Sequence, residues 1–129
     1  MDKVDYWLEL AADDLAAIHW LMKGKKHLQA AFFCHLTVEK ALKAIIANVA
    51  SEFPPRTHDL TKLAVRGGVF DELSEEQLSL LEELNPLNID GRYPEYKTNI
   101  SQMLTTETIN RILKETEDFL CWTKKKLGR

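Results

Sequence analysis

Residues 28–49 read LQAAFFCHLTVEKALKAIIANV. Neither glycine nor proline occurs in this stretch, so nothing in it interrupts a helix. At about 100° per residue, Ala31, Val38, Leu42, Ile45 and Val49 fall within one narrow arc. Phe32, Phe33 and Leu36 carry apolar character well beyond that arc, which predicts a helix buried on more than one side.

Upstream, Val4, Leu8, Ala11, Ala12, Leu15, Ile18 and Met22 recur at three- and four-residue spacing and predict a helix over residues 3–23. Gly24 and the Lys25-Lys26-His27 turn join the two closely, as in an antiparallel hairpin. Downstream, Pro54-Pro55 sets a break over residues 51–57. A short helix from Asp59 to Arg66 is expected to bury Leu60, Leu63 and Ala64 and to end at Gly67-Gly68. Ser74 and Gln77 have the form of a capping box opening a helix through Leu78, Leu81 and Leu84. Residues 86–104 show no sustained period, and a loop of that length in a small domain is often functional. The last helix begins near Thr105 or Thr106 and should bury Ile109, Ile112, Leu113, Thr116, Phe119 and Leu120. Lys124, Lys125 and Lys126 stand at its end, where the helix dipole favours cations. With no strand-like alternation and no repeat, the expectation is an all-α fold. It is an up-and-down antiparallel helical bundle with three long helices and two short ones, forming a single domain over residues 1–129.

A chain of 129 residues is long enough to bury its own core without disulfides or metals. Its 45% hydrophobic and 29% charged residues exclude collagen-like and wholly disordered classes. Seventeen Lys+Arg against 20 Asp+Glu leave a net charge of −3, which excludes a globally basic nucleic-acid coat protein but not a local basic pocket. Cys34 and Cys121 make neither a disulfide framework nor a zinc site and read as buried, reduced thiols. Asp2, Lys3 and Asp5 stand where a leader peptide would need a basic segment followed by an apolar run. The apolar stretch around residues 30–50 is interrupted by His35, Glu39, Lys40 and Lys43, so no membrane span is expected. A soluble, cytoplasmic protein is the expectation.

Three patches carry candidate chemistry. His35, Glu39 and Lys43 follow one another at four-residue steps, drifting about 40° per step, and border the main apolar arc. Aligned in this way they could hydrogen-bond one another beside a cavity or subunit contact, while Lys40 points away into solvent. The plainer account is a helix-surface ion pair, Glu39 to Lys43, with His35 a satisfied core histidine. His58 lies in Pro55-Arg56-Thr57-His58-Asp59-Leu60 at the entrance to the short helix, a position receptive to anions. The plainer account there is a capping turn with Thr57 as N-cap and His58 merely exposed. In Gly91-Arg92-Tyr93-Pro94, Arg92 offers a fork of donors for phosphate or carboxylate, and Tyr93 a stacking face with a hydroxyl. Arg92 paired to a surface acid and Tyr93 packed on the bundle is the plainer account. No phosphate-binding glycine loop, His-Glu-x-x-His or Cys-x-x-Cys occurs, and neither a metal nor a cofactor is expected. Asp71, Glu72, Glu75 and Glu76 read as a solvated cluster at a helix start, and Lys124–Lys126 with Arg129 as a solvated tail.

Taken in order, Phe33-Cys34-His35-Leu36-Thr37-Val38-Glu39-Lys40-Ala41-Leu42-Lys43-Ala44, then Thr57-His58-Asp59-Leu60, then Arg92-Tyr93-Pro94 resemble the HEPN family, the higher eukaryotes and prokaryotes nucleotide-binding domain. The similarity covers nearly the whole chain, including Asp13-Asp14-Leu15 in the opening helix. The resemblance implies an up-down helical bundle, usually a homodimer, often encoded beside a minimal nucleotidyltransferase in toxin–antitoxin-like pairs. Many members are metal-independent RNases that use an Arg followed four to six residues later by His. This chain departs from that motif, because Arg56 precedes His58 by two residues and no histidine follows Arg92.

The resulting expectation is a non-catalytic member that binds a nucleotide or serves as partner subunit of a minimal nucleotidyltransferase. Arg92 and Lys43 would hold phosphate, Tyr93 would stack, Glu39 would orient Lys43 and His35, and His58 would contribute from the short-helix entrance. Two alternatives stand beside it: a metal-independent RNase with a non-standard site of His58 as base and Arg92 as charge stabiliser, and a purely structural dimeric helical module.

Overall fold

In the computed structural model, which describes residues 2–50, 53–89 and 101–129, the order of elements follows the order of the sequence signals. Helices α1 (Lys3–Lys23) and α2 (His27–Val49) are joined by three residues. A connection that short can only fold the second helix back along the first. The Asp2 carboxylate caps α1 by accepting from the Asp5 backbone N–H, and Gly24 closes it. Helix α3 (Leu60–Arg66) is short and buries Leu60, Leu63 and Ala64. It ends at Gly67, where an added Cβ would come within 3.1 Å of the Ile45 side chain on α2, and at Gly68, whose φ of +72° suits glycine. A 3₁₀ turn at Phe70–Glu72 leads to α4 (Glu75–Leu84), opened by the reciprocal Ser74–Gln77 capping box. A second 3₁₀ turn covers Asn85–Ile89, residues 101–103 are helical, and α5 (Thr106–Lys126) is capped by Thr105.

Ion pairs fix the directions of the helices. Arg129, just past α5, pairs with Asp2 and Asp5 at the start of α1, and His19 late in α1 faces Glu117. Helix α5 is therefore antiparallel to α1. Glu83 near the end of α4 meets Arg111 near the start of α5, and Glu72 just before α4 meets Lys126 at the other end. The chain thus runs up, down, up and down through α1, α2, α4 and α5, three of its helices long and α3 and α4 short, with residues 101–103 helical besides and no strand among the described residues. That is the all-α antiparallel bundle expected from periodicity. No helix among the described residues is long and apolar enough to cross a membrane.

Helix α2 is the axis of the bundle and packs against α1, α3, α4 and α5. Fourteen of its 23 residues are buried, as the two-sided apolar pattern required. Ala31, Val38, Leu42 and Ile45 are in the core, while Val49, at the last turn, is exposed. Phe119 and Ile112 of α5, Ile18 of α1 and Leu81 and Leu84 of α4 close around it. Three surface expectations change. Cys34 is buried, but Cys121 is exposed on the outer side of α5. Lys40 is half-buried and its ammonium pairs with Asp14 of α1, because α1 runs directly beside that face of α2. The basic C-terminal residues are not a free tail, since Lys126 and Arg129 are engaged by Glu72, Asp2 and Asp5.

Candidate functional site: a buried carboxylate between two histidines and a lysine

The site is built on the middle of α2 and the turn before α3. Burial of α2 on several sides carries its polar row inward with the apolar residues. His35 is fully buried, Glu39 is 3% exposed and Lys43 is 8% exposed. A helix-surface ion pair is therefore not what this row forms. Taking a carboxylate out of water costs several kcal/mol unless both oxygens find partners. Here both do. The Lys43 Nζ donates to Glu39 Oε2 at 2.9 Å, and the His58 Nδ1–H donates to Glu39 Oε1 at 2.8 Å.

His58 reaches Glu39 because the turn carrying it is tied down at three points. His35 Nε2–H donates to the His58 backbone carbonyl at 3.0 Å, which anchors the turn to α2. Asp59 is the N-cap of α3, accepting from the Thr61 and Lys62 backbone N–H groups. Asn85, at the end of α4, accepts the Leu60 N–H at 2.8 Å and fixes the same helix start from the other side. Thr57 does not cap α3. Its hydroxyl accepts from the Asp59 N–H within the turn, so the N-cap lies two residues further on than the capping-turn account had it.

These bonds settle the tautomers, since a carbonyl and a carboxylate can only accept. His35 carries its proton on Nε2, and its Nδ1 has no hydrogen-bond partner among the described residues. That Nδ1 lies 3.6 Å from Glu39 Oε1. Burial holds the His35 imidazole below the ordinary histidine range; the Glu39 carboxylate and the bond to the His58 carbonyl work against that shift. In the neutral His58 ring the proton is therefore on Nδ1 and the lone pair on Nε2. The side chain is 59% exposed, and no described residue is bonded to Nε2. The cluster thus has a sealed end at His35 and an open end at His58. Beneath it, the Lys43 ammonium lies 5.3 Å from the centre of the Trp7 ring, a cation–π contact.

Four of the six site residues expected from the sequence, His35, Glu39, Lys43 and His58, therefore meet in one cluster. Arg92 and Tyr93 lie outside the described residues. Trp7 and Asn85 were not legible as site residues. Trp7 sits one position off the apolar stripe of α1, and Asn85 reads only as a helix end; no local signal marks either. Nearby Cys34 plays no part in acid–base chemistry, because burial pushes its thiol up to about 12. Among the described residues no group of three or more His, Cys, Asp or Glu side chains could hold a metal ion.

No curated protein and no solved structure matches the chain significantly. One family model does, and it spans residues 4–127, from the first turn of α1 to the end of α5. With its helical architecture and a match over nearly its entire length, the chain belongs to the HEPN domain family.

Proposed function

We propose that this HEPN protein binds a nucleotide, or a nucleotide-bearing partner, at the open end of the Glu39 cluster, without acting as a nuclease. The observation that carries the reading is the exposed His58 imidazole held by a carboxylate that is itself 3% exposed. A buried carboxylate with both oxygens used is an organising group, and what it organises here is one basic ring facing solvent. His58 meets the ligand from the entrance to α3, Arg92 holds phosphate, and Tyr93 stacks or hydrogen-bonds. Lys43, bonded to Glu39 and largely covered, offsets the carboxylate's charge from beneath and keeps the mouth receptive to anions. Titration calorimetry with nucleoside mono-, di- and triphosphates tests this. Binding heat should appear for at least one of them and fall in Arg92→Ala and His58→Ala; no heat for any, or equal heat in the variants, overturns it.

The biological setting that accompanies this reading is a homodimer acting in the cytoplasm as partner subunit of a minimal nucleotidyltransferase, in a toxin–antitoxin-like pair. Family membership supports it, and the two free thiols fit a reducing compartment. Sedimentation of the purified chain, alone and with a nucleotidyltransferase encoded beside it, measures both assemblies. One observation favours a second reading, a metal-independent RNase. The Glu39–His58 bond at 2.8 Å fixes the tautomer a general base needs. Cleavage of single-stranded RNA in chelator, abolished in His58→Ala, would establish that reading over the first.

A further inference from the structure

The tautomer of His58 has a chemical consequence beyond ligand contact. An imidazole whose Nδ1–H is held by a carboxylate presents Nε2 as a nucleophilic lone pair, its orientation and basicity set by that bond. Here the acceptor is Glu39, the bond is 2.8 Å, and the backbone behind the ring is pinned by His35 at 3.0 Å. The ring cannot swing away without breaking a buried network. It is nonetheless 59% exposed, so a small donor can reach it. His19, which is exposed, and His27, which is half-buried, lack this arrangement. His19, 61% exposed, has only a loose approach of its Nε2 to Glu117 at 3.9 Å, and the ring of His27, at the first residue of α2, makes no hydrogen bond or ion pair among the described residues.

We infer that His58 Nε2 is a phosphoryl-accepting site, with Glu39 as its positioning residue and an acyl phosphate as the class of donor. The Nε2 lone pair forms the N–P bond while the P–O bond to the acyl group breaks, and the carboxylate leaves. No proton leaves the attacking nitrogen, because in this tautomer it bears none. The ring keeps its Nδ1–H and becomes imidazolium-like, and the Glu39 carboxylate already bonded to Nδ1 stabilises the charge that develops there. A neutral ring and a dianionic donor thus give a monoanionic phosphohistidine and a monoanionic carboxylate, so charge balances. Lys43 on the other Glu39 oxygen keeps the pair neutral before the step, so no uncompensated anion stands behind the ring to repel the donor.

The test is exposure of the intact folded chain to acetyl phosphate, followed by peptide mapping under alkaline conditions that preserve phosphohistidine. This does not depend on nucleotide binding, so loss of nucleotide heat and loss of labelling are separate failures. His58 should be labelled roughly tenfold faster than His19 and His27 in the same molecules, by analogy with the low end of what carboxylate partners contribute at metal-bound histidines. In Glu39→Gln that advantage should collapse to the rate of the other two, and in urea all three should become equal. Equal rates at the three histidines of the native chain overturn the proposal, and because they are read in the wild type this result does not depend on the variant folding. A His58 advantage that persists in a folded Glu39→Gln protein overturns the role given to Glu39.

Discussion

Helices α2 and α5 carry oppositely charged side chains at the same four-residue spacing, and the two sets have opposite fates. On α2, Glu39 and Lys43 have side chains 4% and 10% exposed. On α5, Lys114 and Asp118 are 71% and 62% exposed, and Arg111 links Glu115 to Glu83 at the surface. The spacing, the charges and the bond lengths are alike, but the surroundings are not. Helix α5 has one apolar stripe and turns its charges to water, whereas α2 is enclosed by four other helices and takes its charges inside. An exposed pair contributes little because water solvates the separated ions nearly as well. A buried pair is held together by the cost of leaving either ion alone. The same four-residue motif is thus decoration on one helix and a structural commitment on the other.

The largest test of that difference is Glu39→Ala. It strands the Lys43 ammonium in the interior and releases His58, and should cost about 3–5 kcal/mol in denaturant unfolding. Replacing both partners, Glu39→Leu with Lys43→Met, should recover most of that loss. A single-variant cost below about 1 kcal/mol would mean the buried pair behaves as a surface one.

Next comes pH. His35 is held below its ordinary value of 6.5 by burial, so between its folded and unfolded values the unfolded chain binds the extra proton. Stability from this group is complete above pH 6.5 and is lost as pH falls through the folded value, with a slope of at most about 1.4 kcal/mol per pH unit. Unfolding measured from pH 7.5 downward should show this slope, and His35→Gln should remove that contribution.

A smaller effect is expected at the cap that holds the His58 turn. Asp59→Ala leaves two N–H groups of α3 without an acceptor and should cost about 1 kcal/mol. In NMR spectra the His58 ring signals should shift with it if the cap helps to hold the Glu39 bond. Arg111→Ala removes a surface link between α4 and α5 and should cost about 0.5 kcal/mol, a difference that disappears in 1 M salt, where the Debye length is about 3 Å. Lys114→Ala should leave the melting temperature unchanged. A salt-sensitive Glu39 effect or a salt-insensitive Arg111 effect would erase the contrast between the two helices.

Much of the fold was legible because it rests on local rules. The α1 stripe, the Gly24 break, the Ser74–Gln77 box and the stop at Gly67-Gly68 each act within a few residues, and each is found where it was read. The departures arise where a neighbour distant in sequence intervenes. Lys40 looked solvated until α1 brought Asp14 beside it, and Arg129 looked like a tail until Asp2 and Asp5 met it. The site divides in the same way. The four-residue row of His35, Glu39 and Lys43 is written in the helix period, and His58 could be singled out by its place before a helix. Nothing local showed that these two features share one carboxylate.

The sequence by itself determined an all-helical chain, the ends of its helices and the polar residues worth attention, because helix periodicity, capping and breaking are short-range properties of the backbone. Only the tertiary structure decided that Glu39 would be sealed from water, that His58 would be its partner across 19 residues, and that Trp7 and Asn85 would support them. Burial is a property of everything packed around a residue, and the energy of a charge is set by that burial more than by its neighbours along the chain.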